Sequence, residues 1–195
     1  MMVALVALAA FAGGIVYCSF FEWTLHKYLM HKPLLGFKYA FKAHAQTHHR
    51  IFEYDETYSL QRDEDKTLVA MAWWNAPVII AANSPVWFGA GMIAGLGHFT
   101  ANFWVGAVGA ACSMVVYYAV YESLHWCMHV PGHRWFSNSR WFKFLDDHHR
   151  MHHKRPMSNL NVVFPLADFI LRSKAPGLPP VSRMASEARE AAGVR

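Results

Sequence analysis

The sequence predicts an all-α integral membrane protein, with about three to four transmembrane helices and a cytoplasmic helical cap that carries clustered histidines. Three observations predict it. The chain of 195 residues is 54% hydrophobic and only 16% charged, whereas soluble domains carry about 25% charged residues. Two long runs hold no charge: no Asp, Glu, Lys or Arg precedes Glu22, and none occurs in the 55 residues from Thr67 through Tyr121. Eleven of the 13 histidines fall into four tight groups outside the uncharged runs.

A bilayer core takes about 20 apolar residues per helical span. The first run is therefore one span, from about Val3 to Phe21. The second is too long for one span. It reads as a hairpin: a helix from about Thr67 to Ile93, a turn at Gly95-Leu96-Gly97-His98, and a return helix from about Asn102 to Tyr121. The start, "MMVALVALAAFAGG", has no positive n-region, and its apolar stretch outruns a signal-peptide core. It is read as a membrane anchor rather than a cleaved leader.

All 18 Lys and Arg lie in two segments, Lys27 to Lys66 and Arg134 to Arg195. One span followed by a hairpin puts both segments on one side, and the positive-inside rule makes that side cytoplasmic. The net charge of +5 then follows from topology and from anionic lipid head groups. No nucleic-acid motif is present, and no nucleic-acid partner is expected. Cys18, Cys112 and Cys127 form no CxxC pattern and read as small apolar residues. "RDEDK" (62–66) is a solvated charge run. Residues 1–174 form the membrane domain. "APGLPP" opens a tail, 175–195, that forms a short surface helix or stays disordered.

The histidines carry the chemistry. The groups are "HKYLMH" (His26, His31), "HAQTHH" (His44, His48, His49), "HWCMH" (His125, His129) and "HHRMHH" (His148, His149, His152, His153). On a helix, residues i, i+3 and i+4 share a face. This pairs His44 with His48, His125 with His129, and His149 with His152 and His153. His26 and His31 are five apart and do not fit an unbroken helix; Pro33 suggests that the helix loosens there. The first and third groups sit at span ends, so all four can converge just below the membrane. One pair alone would be ordinary surface polarity, and a flexible histidine-rich loop would be a loose zinc or nickel binder. Here the histidines are interleaved with Trp, Tyr, Leu and Met. Ten neutral imidazoles exceed the needs of one ion and suit two, with iron, zinc, copper or nickel all compatible. Glu22, Glu122 and Asp147, close in sequence to the groups, are expected to take the outer N–H of ligating histidines. His98 and His133 stand apart and read as structural.

The order HxxxxH, HxxxHH, HxxxH, HxxHH resembles the fatty acid hydroxylase/sterol desaturase superfamily of membrane di-iron enzymes. The resemblance runs from about Glu22 to Leu171, and "NLNVVFPLAD" (159–168) is similar to the segment after the last histidine box of many members. It implies ten ligands: His26, His31, His44, His48, His49, His125, His129, His149, His152 and His153. His148 is the extra histidine, or the alternative to His149. It also implies two Fe ions, with zinc able to substitute in purified protein, O2 as co-substrate, and a membrane lipid substrate. The sequence has no His-Pro-Gly-Gly stretch of a fused cytochrome b5 domain. The resemblance thus implies a separate electron donor of ferredoxin or cytochrome b5 type. "HWCMH" and "NLNVVFPLAD" are similar to the branch that hydroxylates fatty acyl or sterol-like lipids. "HKYLMH" and "HHRMHH" are similar to β-carotene-type hydroxylases, and lipid desaturation is the other alternative.

A reading from another class is a non-catalytic membrane metal-binding or transport protein. It predicts acidic or histidine residues inside the spans. The spans hold no charges and, for polar groups, only Asn75, Asn83 and small hydroxyls, with His98 placed in the turn between them.

Overall fold

The computed structural model describes residues 2–34 and 36–175. The expected tail, apart from Ala175, lies outside these residues. Helix α1 (Met2–Leu25) runs directly into a π-helical turn, His26–Met30. After a non-helical connection, a short helix α2 (Tyr39–Phe41), a second π-helical segment (Lys42–His48) and α3 (His49–Ile51) run directly one into the next. Loop and 3-10 turns lead to α4 (Asn75–Ala82) and α5 (Ser84–Ala94), then α6 (Ala101–His129), α7 (Arg140–Lys154) and α8 (Leu166–Ile170). Among the described residues the only β-pairing is one isolated bridge, Leu34 to Phe37.

Two helical stretches, Met2–Met30 and Ala101–His129, are long and apolar enough to cross a membrane. α4 and α5 make a third crossing if the pair, bent by 43°, is one span. The count is two, or three with the bent pair, against the expected three to four. The bend has a local cause. Asn83 closes α4 by donating its side-chain amide to the Ile79 carbonyl, and accepts from Tyr17 Oη at 2.5 Å. Pro85 then lacks the N–H needed to continue the ladder.

The expected helix from Thr67 begins only at Asn75. The preceding backbone is used otherwise: the Leu68 carbonyl accepts from a histidine ring, and the Met71 N–H donates to Glu122. The return helix, by contrast, overshoots its expected end at Tyr121 and continues to His129. The turn between α5 and α6 holds Leu96 and Gly97 at positive φ, 54° and 81°.

α1 and α6 run side by side in the same direction. Gly14 lies against Ala110 and Ser113, Gly109 lies against Ala7 and Ala10, and Tyr117 reaches Glu22. Both helices therefore deliver their C-terminal histidines to the same end of the bundle. α5 returns antiparallel to α6, with Gly106 against Ala90 and Ala94. Small residues at crossings let membrane helices approach closely. A Cβ on Gly106 would lie 2.5 Å from the Ala94 Cβ and 3.1 Å from the Ala90 carbonyl oxygen. Gly106→Val is expected to destabilise the protein by about 1–3 kcal/mol through overpacking, seen as a lower midpoint of thermal unfolding in detergent. Gly89→Ala, whose Cβ would meet nothing within 4 Å, is the neutral comparison.

α7 closes the cluster end. Ser139 caps it, accepting from the Phe142 N–H at 3.1 Å. The helix buries Phe142, Leu145 and its four histidines while Arg140, Lys143 and Lys154 remain exposed.

Candidate metal centre

The histidines gather into two groups of five. The first is His26, His31, His44, His49 and His152; the second is His48, His125, His129, His149 and His153. In each group one ligand atom per residue lies within 4.8 Å of all the others, so either group can hold a metal ion.

The π-helical turns explain the sorting. In a π turn the ladder runs from i to i+5, which stacks residues five apart. The His31 N–H donates to the His26 carbonyl at 3.1 Å, and the two rings stack with centroids 5.1 Å apart. The loosening expected near Pro33 is this widened turn, just before it. The same device recurs where the His49 N–H reaches the His44 carbonyl. His44 and His49 thus share one group. His48, expected to face the same way as His44, belongs to the other. α7 is divided in the same manner: His149 and His153, one turn apart, join the second group, and His152 joins the first.

Ring protonation follows from the partners, because a carbonyl only accepts. His26 Nδ1–H donates to Leu160 (2.5 Å), His152 to Ser158 (2.9 Å), His48 to Leu68 (3.1 Å), His129 to Tyr58 (2.8 Å) and His153 to Phe52 (2.5 Å). In a neutral ring the proton on Nδ1 leaves a lone pair on Nε2. Three such lone pairs, on His48, His129 and His153, point into the second group. The Nε2 atoms of His48 and His125 are buried there without a hydrogen-bond partner. The Nε2 of His149 lies 3.1 Å from those of His129 and His153. In the first group, Nε2–Nε2 separations are 2.8–3.1 Å along His26, His44, His49, His152 and His31.

Converging buried lone pairs are costly unless a cation receives them. Separations near 3 Å are those of neighbouring ligands on one ion held at about 2.1 Å. The donor set is all imidazole and fits iron as well as zinc. Burial, reinforced by neighbouring imidazoles, holds the rings of His44, His49, His149, His152 and His153 neutral, well below the usual range. It pushes His31 down to about 3 and His48 to about 4.

These shifts fix the sign of one prediction. Below about pH 6.5 the unfolded chain takes up protons that the folded histidines refuse, so stability falls as pH falls from there towards 4. Asp146, pushed up to about 6 by burial, and Asp147, also raised, act in the opposite sense but are fewer. Chelator-treated protein should therefore melt several degrees lower at pH 5.5 than at pH 7.5.

The three carboxylates expected to hold ring N–H groups do not. Glu22 accepts from Tyr117 Oη (2.6 Å), the Asn161 side-chain amide (3.0 Å) and the Val162 N–H (2.6 Å). Glu122 accepts from the Met71 N–H at 3.2 Å, and Asp147 is exposed and bonds no histidine. Loop and 3-10 backbone at 52–68 and loop backbone at 158–160 offer carbonyls beside the rings, and these take the N–H groups instead.

His148 is in neither group. Its Nε2 pairs with the fully buried Asp168 at 3.0 Å. Asp168 also accepts from the N–H groups of Leu160 (3.0 Å) and Asn161 (2.8 Å) and from Ser173 Oγ (2.6 Å). Asn159 adds a bond to the His148 carbonyl at 3.0 Å. Together with Glu22, these groups fix the loop segment whose Leu160 carbonyl orients His26. Sequence reasoning named neither Asp168 nor Asn161; the only signal was their place in "NLNVVFPLAD". It also missed Tyr58, whose ring packs on His129 and His153 and whose hydroxyl donates to Asp146 at 2.9 Å. His98 and His133 lie outside both groups.

No protein-family model matches the chain, and no curated protein or solved structure matches it.

An apolar cavity of about 610 Å³ opens on the two groups at once, touching His44 of the first and His48 and His125 of the second. Its walls include Leu29, Met30, Val69, Met71, Trp74 and Tyr121. A narrow extension, lined by Cys18, Phe21, Ile79 and Met114, continues beside His26 between α1, α4 and α6.

Proposed function

We propose that this protein is a membrane-bound, O2-dependent di-iron oxygenase that hydroxylates an aliphatic C–H of a fatty acyl or sterol-like lipid. The observation that carries the reading is the cavity: a ligand-sized apolar space that meets both histidine groups on one wall and runs between the apolar helices. Two iron ions bound by the groups would supply the activation of O2 and the electron transfer of the reaction. The chain's own part is to place the substrate and keep water out.

The apolar walls take an alkyl segment and leave a polar head group outside. Met30, Met71 and Tyr121 line both the cavity and its extension, so a chain entering the extension passes between them and is held along its length. The backbone carbonyls that receive the five Nδ1–H groups fix ring direction and keep Nε2 free for the ions. The positive-inside pattern of Lys and Arg supports placing the histidines on the cytoplasmic side.

The test is untargeted lipid analysis of cells with and without the protein, with a competent electron donor supplied. A lipid gaining the mass of one oxygen atom is expected, and its identity separates acyl, sterol-like and carotenoid substrates. Loss of two hydrogens instead would identify a desaturase. No change in any lipid, in protein that holds iron, would favour the metal-carrier alternative.

A further inference from the structure

The histidine end of the bundle carries large apolar side chains that the fold leaves uncovered. Trp135 is 93% exposed, and Trp141, Phe144, Phe169, Ile170 and Leu171 are exposed as well. None of them lies in a stretch able to cross a membrane. They form two sets that meet. Trp135 and Trp141 share an open apolar groove with Val116, Val120 and Ser123 of α6. Phe169, Ile170 and Leu171 close α8, and α8 is bound to α1. Ser19 Oγ donates to the Phe164 carbonyl (2.6 Å) and accepts from the Ala167 N–H (3.1 Å), while Trp23 donates to Ser173 Oγ (2.7 Å). Phe144 of α7 joins the sets: Lys174 Nζ lies 5.7 Å from its ring centre and 4.7 Å from that of Phe169.

Both sets lie at one level of the bundle. Tyr117 of α6 bonds Glu22 of α1, so the part of α6 beside the tryptophans neighbours the part of α1 that holds α8. The uncharged runs end at this level, at Glu22 and Glu122. With α1 and α6 as spans, it is the edge of the bilayer core on the histidine side. Aromatic side chains concentrate at that edge, whereas water-exposed surfaces rarely gather so many large apolar groups in one patch. The charges agree. Arg140, Lys143, Arg172 and Lys174 are exposed, and among the described residues none is in an ion pair. Between Trp135 and Lys174 the one exposed acid is Asp147, a turn beyond Phe144.

We infer that Trp135, the outer face of the first two turns of α7, and α8 form a seat in the membrane interface. The apolar side chains lie among the acyl chains just below the head groups of the leaflet on the histidine side, and the four cations hold anionic head groups. The inference rests on α1 and α6 being membrane spans and is independent of the oxygenase reading. Helix faces that combine Trp, Phe and Leu with Lys and Arg lie in the interface plane, with the apolar side dipping into the head-group and acyl boundary. Basic residues beside them are drawn to anionic lipid. α7 buries His149, His152 and His153 and exposes Trp141 and Phe144, so the bilayer surface sets the depth of both histidine groups. The competing occupant is a second copy of the chain. A two-fold contact would set the four cations against their own copies, which repel.

The experiment uses the full-length protein in nanodiscs of phosphatidylcholine and phosphatidylglycerol in equal amounts. Photoreactive p-benzoylphenylalanine replaces Trp141, Phe144 or Ile170 in turn, and intact-mass analysis after irradiation reads what each has joined. Trp104, exposed within the α6 span, is the lipid-facing reference. Glu56, exposed on the loop whose Tyr58 carbonyl holds His129, is the water-facing one. The three seat positions are expected to give phospholipid adducts within about threefold of the Trp104 yield and at least about tenfold above Glu56. At Phe144 phosphatidylglycerol adducts should exceed phosphatidylcholine adducts at least about twofold, and Arg140→Gln/Lys143→Gln/Lys174→Gln should remove the excess. Lipid adducts at Trp104 with none at the seat positions overturn the inference, as do equal yields at Glu56. Cross-links between two copies of the chain in place of lipid make the face a subunit contact and overturn it too. Equal adducts with the two lipids overturn the head-group contact. Absence of lipid adducts at Trp104 as well would remove the membrane spans on which the seat rests. None of these readouts needs bound metal or turnover, so each leaves the oxygenase reading to its own test.

Discussion

If the two groups hold the two iron ions of the proposed oxygenase, His152→Ala and His125→Ala are each expected to abolish turnover, by at least about 100-fold, and to lower bound iron from two ions per chain towards one. Changes that only reorient a ligand already cost about 10–100-fold in affinity or activity, and deleting the ligand costs more. The two variants strike different groups: His152 bridges towards His49 and His31, while His125 sits with His48 and His129. Loss should therefore be partial in metal and complete in activity, because the cavity touches both groups and the proposed reaction uses both ions. His148→Gln is the control within the same six residues. It should retain both ions, since His148 bonds Asp168 and lies in neither group; His149→Ala should lose one. Metal analysis with turnover measured on the same samples decides the matter. Full activity of His152→Ala or His125→Ala would sink the two-ion reading, and loss of an ion in His148→Gln would reverse the register of the last group.

The sequence made the membrane character legible, because a missing charge over 55 residues has few other physical causes. It also showed which histidines would meet, since two of the four groups end a span. It did not show how they are sorted. Reading i and i+4 as one face is correct for an α-helix, but the chain widens into π turns at His26–Met30 and Lys42–His48. Nothing in the local residue types announces a π turn, which is set by what the rings find around them. The same limit applied to the N–H partners of the rings. A carboxylate three or four residues from a histidine is visible in a sequence, whereas the carbonyls of Leu68, Phe52 or Leu160 become partners only through long-range packing. The bent α4–α5 pair was hidden for a similar reason. Asn83 and Pro85 are visible, but the hydroxyl of Tyr17 that accompanies the break comes from another helix.

Asp168→Ala is expected to cost at least about 3 kcal/mol, because it removes the acceptor of several buried donors. Asp168 is fully buried and has four hydrogen-bonding neighbours: His148, the Leu160 and Asn161 N–H groups, and Ser173. Truncation leaves the first three buried without their acceptor, each at a desolvation cost of about 1–3 kcal/mol where water cannot enter. Asp168→Asn keeps the volume and one acceptor oxygen but loses the charge, so it should fall between wild type and alanine. The consequence reaches the metal groups through the backbone. Asp168 fixes Leu160 by its N–H, and the carbonyl of Leu160 fixes the His26 ring. Glu22 grips the same segment from α1 at Val162. Asp168→Ala should therefore lower the affinity for the proposed iron as well as the unfolding midpoint, even though it touches no histidine of either group. A double-mutant cycle with His148→Gln isolates the pair itself, with a coupling of about 0.5–3 kcal/mol expected for groups in contact. A change under about 1 kcal/mol for Asp168→Ala, within the range of ordinary substitutions, would show that Glu22 and Asn159 hold the segment without it.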